Sequence, residues 1–465
     1  MRCLNELNAL PKGWVWETLG GICEKPQYGW TTKANKESGQ VRLLRTTDIT
    51  SGSLNWATVP FCTEVPEALE KYLLQGGDIV ISRAGSVGVS FLLGTVEKAV
   101  FASYLIRFRV KEQADKKYVY YFLQSPSYWD TIGASKSGIA IPNVNAKKLA
   151  QVLIPIAPLE QQKRIVAEIE KQFSRLDKAV ASLKRVKTNL KRYKAAVLKA
   201  AVEGKLTEEW RKQHPDVAPA DKLLEWILVE RREKWQGRGN YKEPAAPDIT
   251  NLPELPEGWV WATMPQLGEL NRGKSKHRPR NDPKLYGGEY PFIQTGDVRH
   301  ATGKIKSYSQ TYSDTGLSQS RLWPIGTLCI TIAANIADTA LLDFDACFPD
   351  SIVGFLSETE HVDVHFIEYF IRTAKENLER FAPATAQKNI NLEILKAVAV
   401  PLPPEKEQKA IVFEIDSKLS VVERIEDTVN ANFKRADRLR QAILKKAFSG
   451  QLVAGNEAAE PGGET

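Results

Sequence analysis

The sequence predicts an α+β protein: two similar globular domains of mixed α/β character, separated by two long helices that pair as an antiparallel coiled coil, the whole built as an internal pseudo-twofold repeat. Three observations predict it. A unit of roughly 245 residues is written twice. Each copy changes partway from short apolar runs to a heptad pattern. Proline, frequent elsewhere, is missing between Pro158 and Pro215, where the first heptad run lies.

The duplication rests on seven blocks in the same order, and a repeat of this kind decides the whole fold. LPKGWVW from Leu10 matches LPEGWVW from Leu255, and RTTDI from Arg45 matches QTGDV from Gln294. GGDIVIS from Gly76 matches IGTLCIT from Ile325, and FASYLI from Phe101 matches FPDSIV from Phe348. PNVN from Pro142 matches KNIN from Lys388, and IPIAPLEQQKRIV from Ile154 matches VPLPPEKEQKAIV from Val400. AVLKAAVEGKL from Ala196 matches AILKKAFSGQL from Ala442. The offset stays between 245 and 249 residues, which chance does not produce seven times in order.

Residues 1–155 and 251–400 form the two heads. Runs such as DIVIS, LIRF and TLCIT, broken by Gly, Pro and Asn, read as short strands with turns, and Lys116 to Gln124 reads as helix. Residues 156–204 and 401–452 form the long helices. In the first, apolar residues fall at Val166, Ile169, Phe173, Leu176, Val180, Leu183, Val186, Leu190, Tyr193 and Val197. In the second they fall at Val412, Ile415, Leu419, Val422, Ile425, Val429, Ala436, Leu439 and Ile443. Steps of three and four mark a helix with a seam. Prolines precede each helix, and Gly204 and Gly450 suit the C-terminal caps. A helix of about 44 residues is roughly 66 Å long and marginal alone in water, so each seam needs a partner. The other copy's helix is the nearest one; separate arms that each dock on another protein are the alternative. Residues 205–250 follow the first copy only, with a helix expected around Asp221 to Trp235 and then a linker. The tail, 453–465, reads as disordered.

Composition bounds the function. The net charge is +8, which suits an anionic partner. No apolar run approaches transmembrane length, and MRCLNELNALPKGW has no secretory pattern, so a cytoplasmic protein without membrane contact is expected. The five cysteines (Cys3, Cys23, Cys62, Cys329, Cys347) are scattered, without a CxxC, which suits a reducing compartment.

An LPxGW opening, a GDIxIS-type strand, a polar PNVN or KNIN turn, then PxPPxxEQKxIV launching a long helix that ends in xILxxAFxGxL: this order resembles the specificity subunit of type I restriction–modification systems, over essentially the whole chain. The resemblance implies that each head is a target recognition domain reading one half of a split double-stranded DNA target. It implies that the long helices set the spacing and dock two methyltransferase subunits, which methylate adenine at its exocyclic amine. Restriction subunits with helicase and nuclease activity would add ATP-dependent cleavage. No cofactor is expected in this chain; S-adenosylmethionine, ATP and Mg belong on the partner subunits, and this subunit is not itself an enzyme.

The residues fit that chemistry. Phosphate neutralisation supplies affinity whatever the base sequence. Residues 160–205 carry thirteen Lys/Arg against five Asp/Glu, and 405–452 carry ten against eight. Base edges are read by Arg, Lys, Asn, Gln, Ser or Thr. In the polar loops where the heads diverge, candidates are Lys33, Lys36, Arg42, Arg45, Thr46, Thr47, Arg83, Ser86, Lys136 and Ser137. In the second head they are Arg272, Lys274, Lys276, Arg278, Arg280, Gln294, Thr295, Arg299, His300, Gln387 and Lys388. Tyr28, Trp30, Tyr286 and Tyr290 could pack on sugars or bases, or simply fill loops.

Three signals are set aside. Gly268 to Ser275 formally matches the GxxxxGKS phosphate loop, but that loop needs a helix after it, and Pro279 and Pro283 stand there instead. His361 and His365 are four apart, as helical metal ligands would be, yet no other His or Cys lies near. No NPPY-like tetrapeptide or glycine-rich cofactor loop is present, as an adenine methyltransferase would need. The rival reading is a coiled-coil scaffold whose two heads bind proteins; it predicts no salt-dependent, sequence-selective DNA affinity even with partners present.

Overall fold

The computed structural model describes residues 9–134, 144–236, 239–333, 337–380 and 392–453, with backbone alone at 134 and 376–380. Lys136, Ser137, Gln387 and Lys388 lie outside these residues, as does the tail beyond Val453. The chain divides into two compact units, 1–185 with 429–465, and 186–428. Each unit therefore contains one head and part of both long helices.

In the first unit, Val15–Thr18 pairs antiparallel with Leu153–Ile156, Val15 opposite Ile156. A four-stranded sheet runs in the order Gln27–Tyr28, Leu105–Phe108, Ile79–Ser82, Ser90–Leu92. Its two central strands are buried at every position, which is why their sequences read as unbroken apolar runs and not as alternation. A second small sheet carries Arg42–Leu44 beside Ala99–Phe101 in parallel. The helix Lys116–Phe122 starts where the Asp115 carboxylate accepts the Lys117 and Tyr118 amides, and Pro126 begins the next helix.

The second unit repeats this plan. Val260–Thr263 pairs with Ala399–Leu402, Val260 opposite Leu402. The main sheet runs Gly268–Arg272, Ile352–Ser357, Leu328–Thr331, Thr339–Leu342, extended by Lys304–Ile305. Where the first head has two short helices, the second has one, Val364–Arg380, with no proline to break it. Gly268–Arg272 is a strand paired with Ile352–Ser357 and not a phosphate loop, so the GxxxxGKS match has no structural basis. The segment after the first copy forms two helices, Glu208–Gln213 and Ala220–Glu233. Sequence reading anticipated the second of them alone.

The long helices span Leu159–Val202 and Glu405–Phe448. They run antiparallel: Arg440 pairs with Asp177 in the first unit, and Lys194 meets Glu426 at 2.8 Å in the second. In the first unit Ile165, Ile169 and Phe173 share a core with Leu444, Ala447 and Phe448, whose ring packs edge-on against Tyr118 and Phe122. In the second, Leu198 and Ala201 share a core with Ile411 and Ile415. Both helices end as the glycines require. Gly204 and Gly450 take positive φ, and the next amide reaches back to the Ala200 or Lys446 carbonyl. The expected seam is narrower than the heptad list. Val186, Tyr193, Ile425 and Leu439 stand 38–47% exposed, because one partner helix covers one stripe.

Candidate nucleic-acid interface

The polar loops sort into residues committed to the fold and residues presented to solvent. RTTD and QTGD build the same device in both units. The Asp48 carboxylate accepts the Arg45 amide, and Asp297 accepts the Gln294 amide, both at 2.8 Å, opening a short helix. Arg45 is thereby tied down: its guanidinium donates twice to Asp48, whose hydrogen bonds raise its pKa. Arg42 is also committed. It pairs with Glu97 at 2.6 Å, stacks over Phe61 and donates to the Val59 carbonyl. Thr46 hides its hydroxyl without a hydrogen-bond partner, whereas Thr47 is exposed. Lys33 and Lys36 flank the short strand Ala34–Asn35 and are exposed.

Arg83, Ser86 and Tyr28 come together although they are far apart in sequence. The Arg83 guanidinium lies 5.1 Å from the Tyr28 ring centroid, and the Arg83 carbonyl accepts the Val144 amide. The Tyr28 hydroxyl accepts the Ala146 amide at 2.9 Å. Exposed Ser86 closes the same loop. Tyr28 is thus a bridge between two candidate loops, which its sequence neighbourhood did not signal. Trp30 donates to the Glu64 carbonyl and packs on Tyr72, a loop-filling role.

In the second unit Arg272 and Arg280 both meet Asp350. Arg272 Nε–H donates to its carbonyl at 2.9 Å, and Arg280 donates to both carboxylate oxygens at 3.0 Å. Lys274, Lys276 and Arg278 are exposed between them. Gln294 donates to Gln310, Thr295 is half-buried, and Arg299 and His300 are exposed at the end of Thr295–His300. Tyr286 donates to the Arg280 carbonyl and Tyr290 to Asp314. Asp350, Gln319 and Ser320 anchor this region from more than 40 residues away, so no local pattern announced them.

Metal chemistry finds no footing among the described residues, where no group of three His, Cys, Asp or Glu could hold an ion. His361 sits 2.5 Å from Glu405, and His365 stands 3.9 Å from Glu368, so the two histidines serve separate carboxylates. Burial pushes the Cys23 thiol up to about 12 and the Cys62 and Cys347 thiols up to about 11, which makes them poor nucleophiles.

Comparison with known proteins identifies the family. The family model described as type I restriction modification DNA specificity domain matches residues 11–192 and again 256–430. The EcoKI specificity subunit of Escherichia coli strain K12 is 26% identical over 468 residues, covering 97% of this chain and 92% of that protein. The StySPI specificity subunit of Salmonella potsdam is 23% identical, covering 97% and 92%. A solved chain from a structural study of complex assembly in a type I R-M system superposes with a TM-score of 0.65 at 20% identity, over 96% of this chain and all of that one. The chain belongs to the type I restriction modification DNA specificity family, as a subunit that recognises a DNA target and catalyses no step itself.

Proposed function

We propose that each head reads one half of an asymmetric bipartite target in double-stranded DNA, that the long helices set the gap between the halves, and that the chain docks two methyltransferase subunits. Those subunits methylate adenine with S-adenosylmethionine. Restriction subunits with ATP and Mg join to direct cleavage, all in the cytoplasm. No described helix is long and apolar enough to cross a membrane. The observation that carries the reading is a frame kept constant while its loops differ. Strand register, capped turns and helix ends repeat, whereas the loops bearing Lys33 to Arg45 and Arg272 to Gln294 share neither length nor sequence.

Docking of two copies of one partner is supported by a duplicated cleft. In the first unit it holds about 610 Å³ and is lined by Tyr121, Glu170, Phe173, Asp177 and Arg440. In the second it holds about 1750 Å³, with Tyr369, Asp416, Leu419, Glu423 and Lys194 at the matching places. Tyr193 and Leu439, one repeat apart, are equally exposed apolar residues on the long helices.

The test is to map methylated adenines in cells with and without this gene. The reading expects loss of marks at one split motif with unlike halves. Insertion of four residues into each long helix should lengthen the tolerated gap; marks at an unchanged gap would overturn the ruler role.

A further inference from the structure

The second unit carries a longer version of a loop found in the first. Gly29 and Gly273 are equivalent: their amides donate to the Leu105 and Ile352 carbonyls, and a Cβ at either would overlap the Phe101 or Phe348 carbonyl. The offset between the copies is 244 at these glycines and 249 at Arg45 and Gln294, so the second loop is five residues longer. It bears Lys274, Lys276, His277, Arg278 and Arg280, where the first loop bears Lys33 and Lys36.

The backbone of this loop is held in place. Ser320 donates to the Lys274 carbonyl at 2.8 Å, Gln319 accepts the His277 amide at 3.0 Å, and Tyr286 donates to the Arg280 carbonyl at 2.6 Å. His277 is fixed on Asp282 at 2.9 Å. Exposure alternates along the segment: Ser275 is buried and His277 half-buried, while Lys274, Lys276 and Arg278 are exposed. The cations then fall into two classes. Arg280 spends its charge on the Asp350 carboxylate. Lys274 and Lys276 face no carboxylate among the described residues, and Arg278 donates to the Ser275 and His277 carbonyls, which leave its charge uncompensated. A fixed loop that already presents unpaired cations loses little conformational freedom when it meets a polyanion.

We infer that Lys274, Lys276 and Arg278 form a preformed phosphate-binding edge of the second unit, and that Asp350 is a positioning residue that keeps Arg280 out of the DNA contacts. The inference rests on the DNA-recognition reading above. Lys274, Lys276 and Arg278 thus supply affinity that does not depend on the base sequence.

The test measures anisotropy of a fluorescein-labelled duplex carrying the mapped methylation motif, and of a scrambled duplex, against the full chain over a range of salt. K274A/K276A/R278A should flatten the plot of log affinity against log salt by about 2.7 on both duplexes, at ~0.9 per phosphate. K274R/K276R/R278K should keep the wild-type slope, which also guards against misfolding of the alanine variant. D350A should steepen the slope by about 0.9 by releasing Arg280, and D350A/R280A should restore it. A wild-type slope in the triple alanine variant overturns the inference while leaving DNA recognition standing, as does a flattened slope in D350A/R280A. If the wild-type chain binds neither duplex in a salt-dependent way, the DNA reading falls, and the inference with it.

Discussion

The two units close their heads on the long helices with one difference. In the first, Trp14 Nε1–H donates to Gln161 at 3.1 Å. In the second, Trp259 Nε1–H donates to Glu407 at 2.9 Å. The next residue is the same in both: Gln162 accepts the Asp115 amide and Gln408 accepts the Asp363 amide, each at 2.8 Å. Glu407 is fully buried, and a buried carboxylate needs compensation. It receives Arg211, and Thr207 at 2.6 Å, both from the segment that follows only the first copy. The additional segment is therefore part of how the second head is closed. Where the first copy has the neutral Gln161, the second has the Glu407 carboxylate, and Thr207 and Arg211 answer it.

Removing the guanidinium should break this asymmetry with the largest effect. Arg211→Met strands the Glu407 charge and should cost about 3–5 kcal/mol in the second unit, as unpaired buried charges do. Gln161→Ala in the first unit, which loses a neutral hydrogen bond, should cost about 1 kcal/mol. Arg211→Met with Glu407→Gln recreates the first copy's chemistry and should regain most of the loss. Urea unfolding followed by hydrogen exchange in each unit separates the two. Equal costs for Arg211→Met and Gln161→Ala would show that the charge is not what distinguishes the units.

Where the frame is shared, matched substitutions should cost the same. Gly29→Ala and Gly273→Ala each drive a methyl group into a backbone carbonyl that cannot swing aside. Each should destabilise its own unit by about 1–3 kcal/mol, the range for overpacking. A cost confined to one unit, read by the same exchange measurement, would mean that the loop after the glycine and not the strand junction sets the constraint.

The frame was legible in the sequence because repeated short-range signals fix it. Gly204 and Gly450 mark helix ends through their positive φ, and the heptad steps of Val166 to Phe173 announce a buried stripe. The buried runs Ile79–Ser82 and Leu105–Phe108 read correctly as strands because each is a short, nearly unbroken apolar run. What the sequence concealed lies in long-range pairing. Arg42 and Arg280 look like their exposed neighbours, yet Glu97 and Asp350 take up their charge. Asp350 is 70 residues from Arg280, and Glu407 is 196 from Arg211. Val186 and Tyr193 kept the heptad spacing but face solvent, since periodicity gives a stripe and not its covering.

The smallest expected difference between the units is in their response to pH. Helix caps place Lys117 and His365 at matching positions, two residues after Asp115 and Asp363. Lys117 meets Glu170 at 2.6 Å. His365 instead faces Glu368, a carboxylate 2% exposed with one oxygen that makes no hydrogen bond, and Asp363 and Asp416 lie nearby. Interaction with Glu368, ahead of the penalty from burial, raises the His365 pKa above its ordinary 6.5. The sign follows from linkage: protons bind more tightly in the folded state, so the stabilisation is complete below 6.5 and is lost as pH rises through the folded value. The second unit should therefore open more readily at alkaline pH while the first does not change. Arg372, 4.0 Å from Glu368, offsets part of the loss and keeps the effect small. Native-state hydrogen exchange between pH 6 and pH 8, corrected for intrinsic rates, reads it directly, and His365→Lys should abolish it by placing in the second unit the lysine that the first carries at this position. Equal pH responses in the two units would place the titrating group elsewhere.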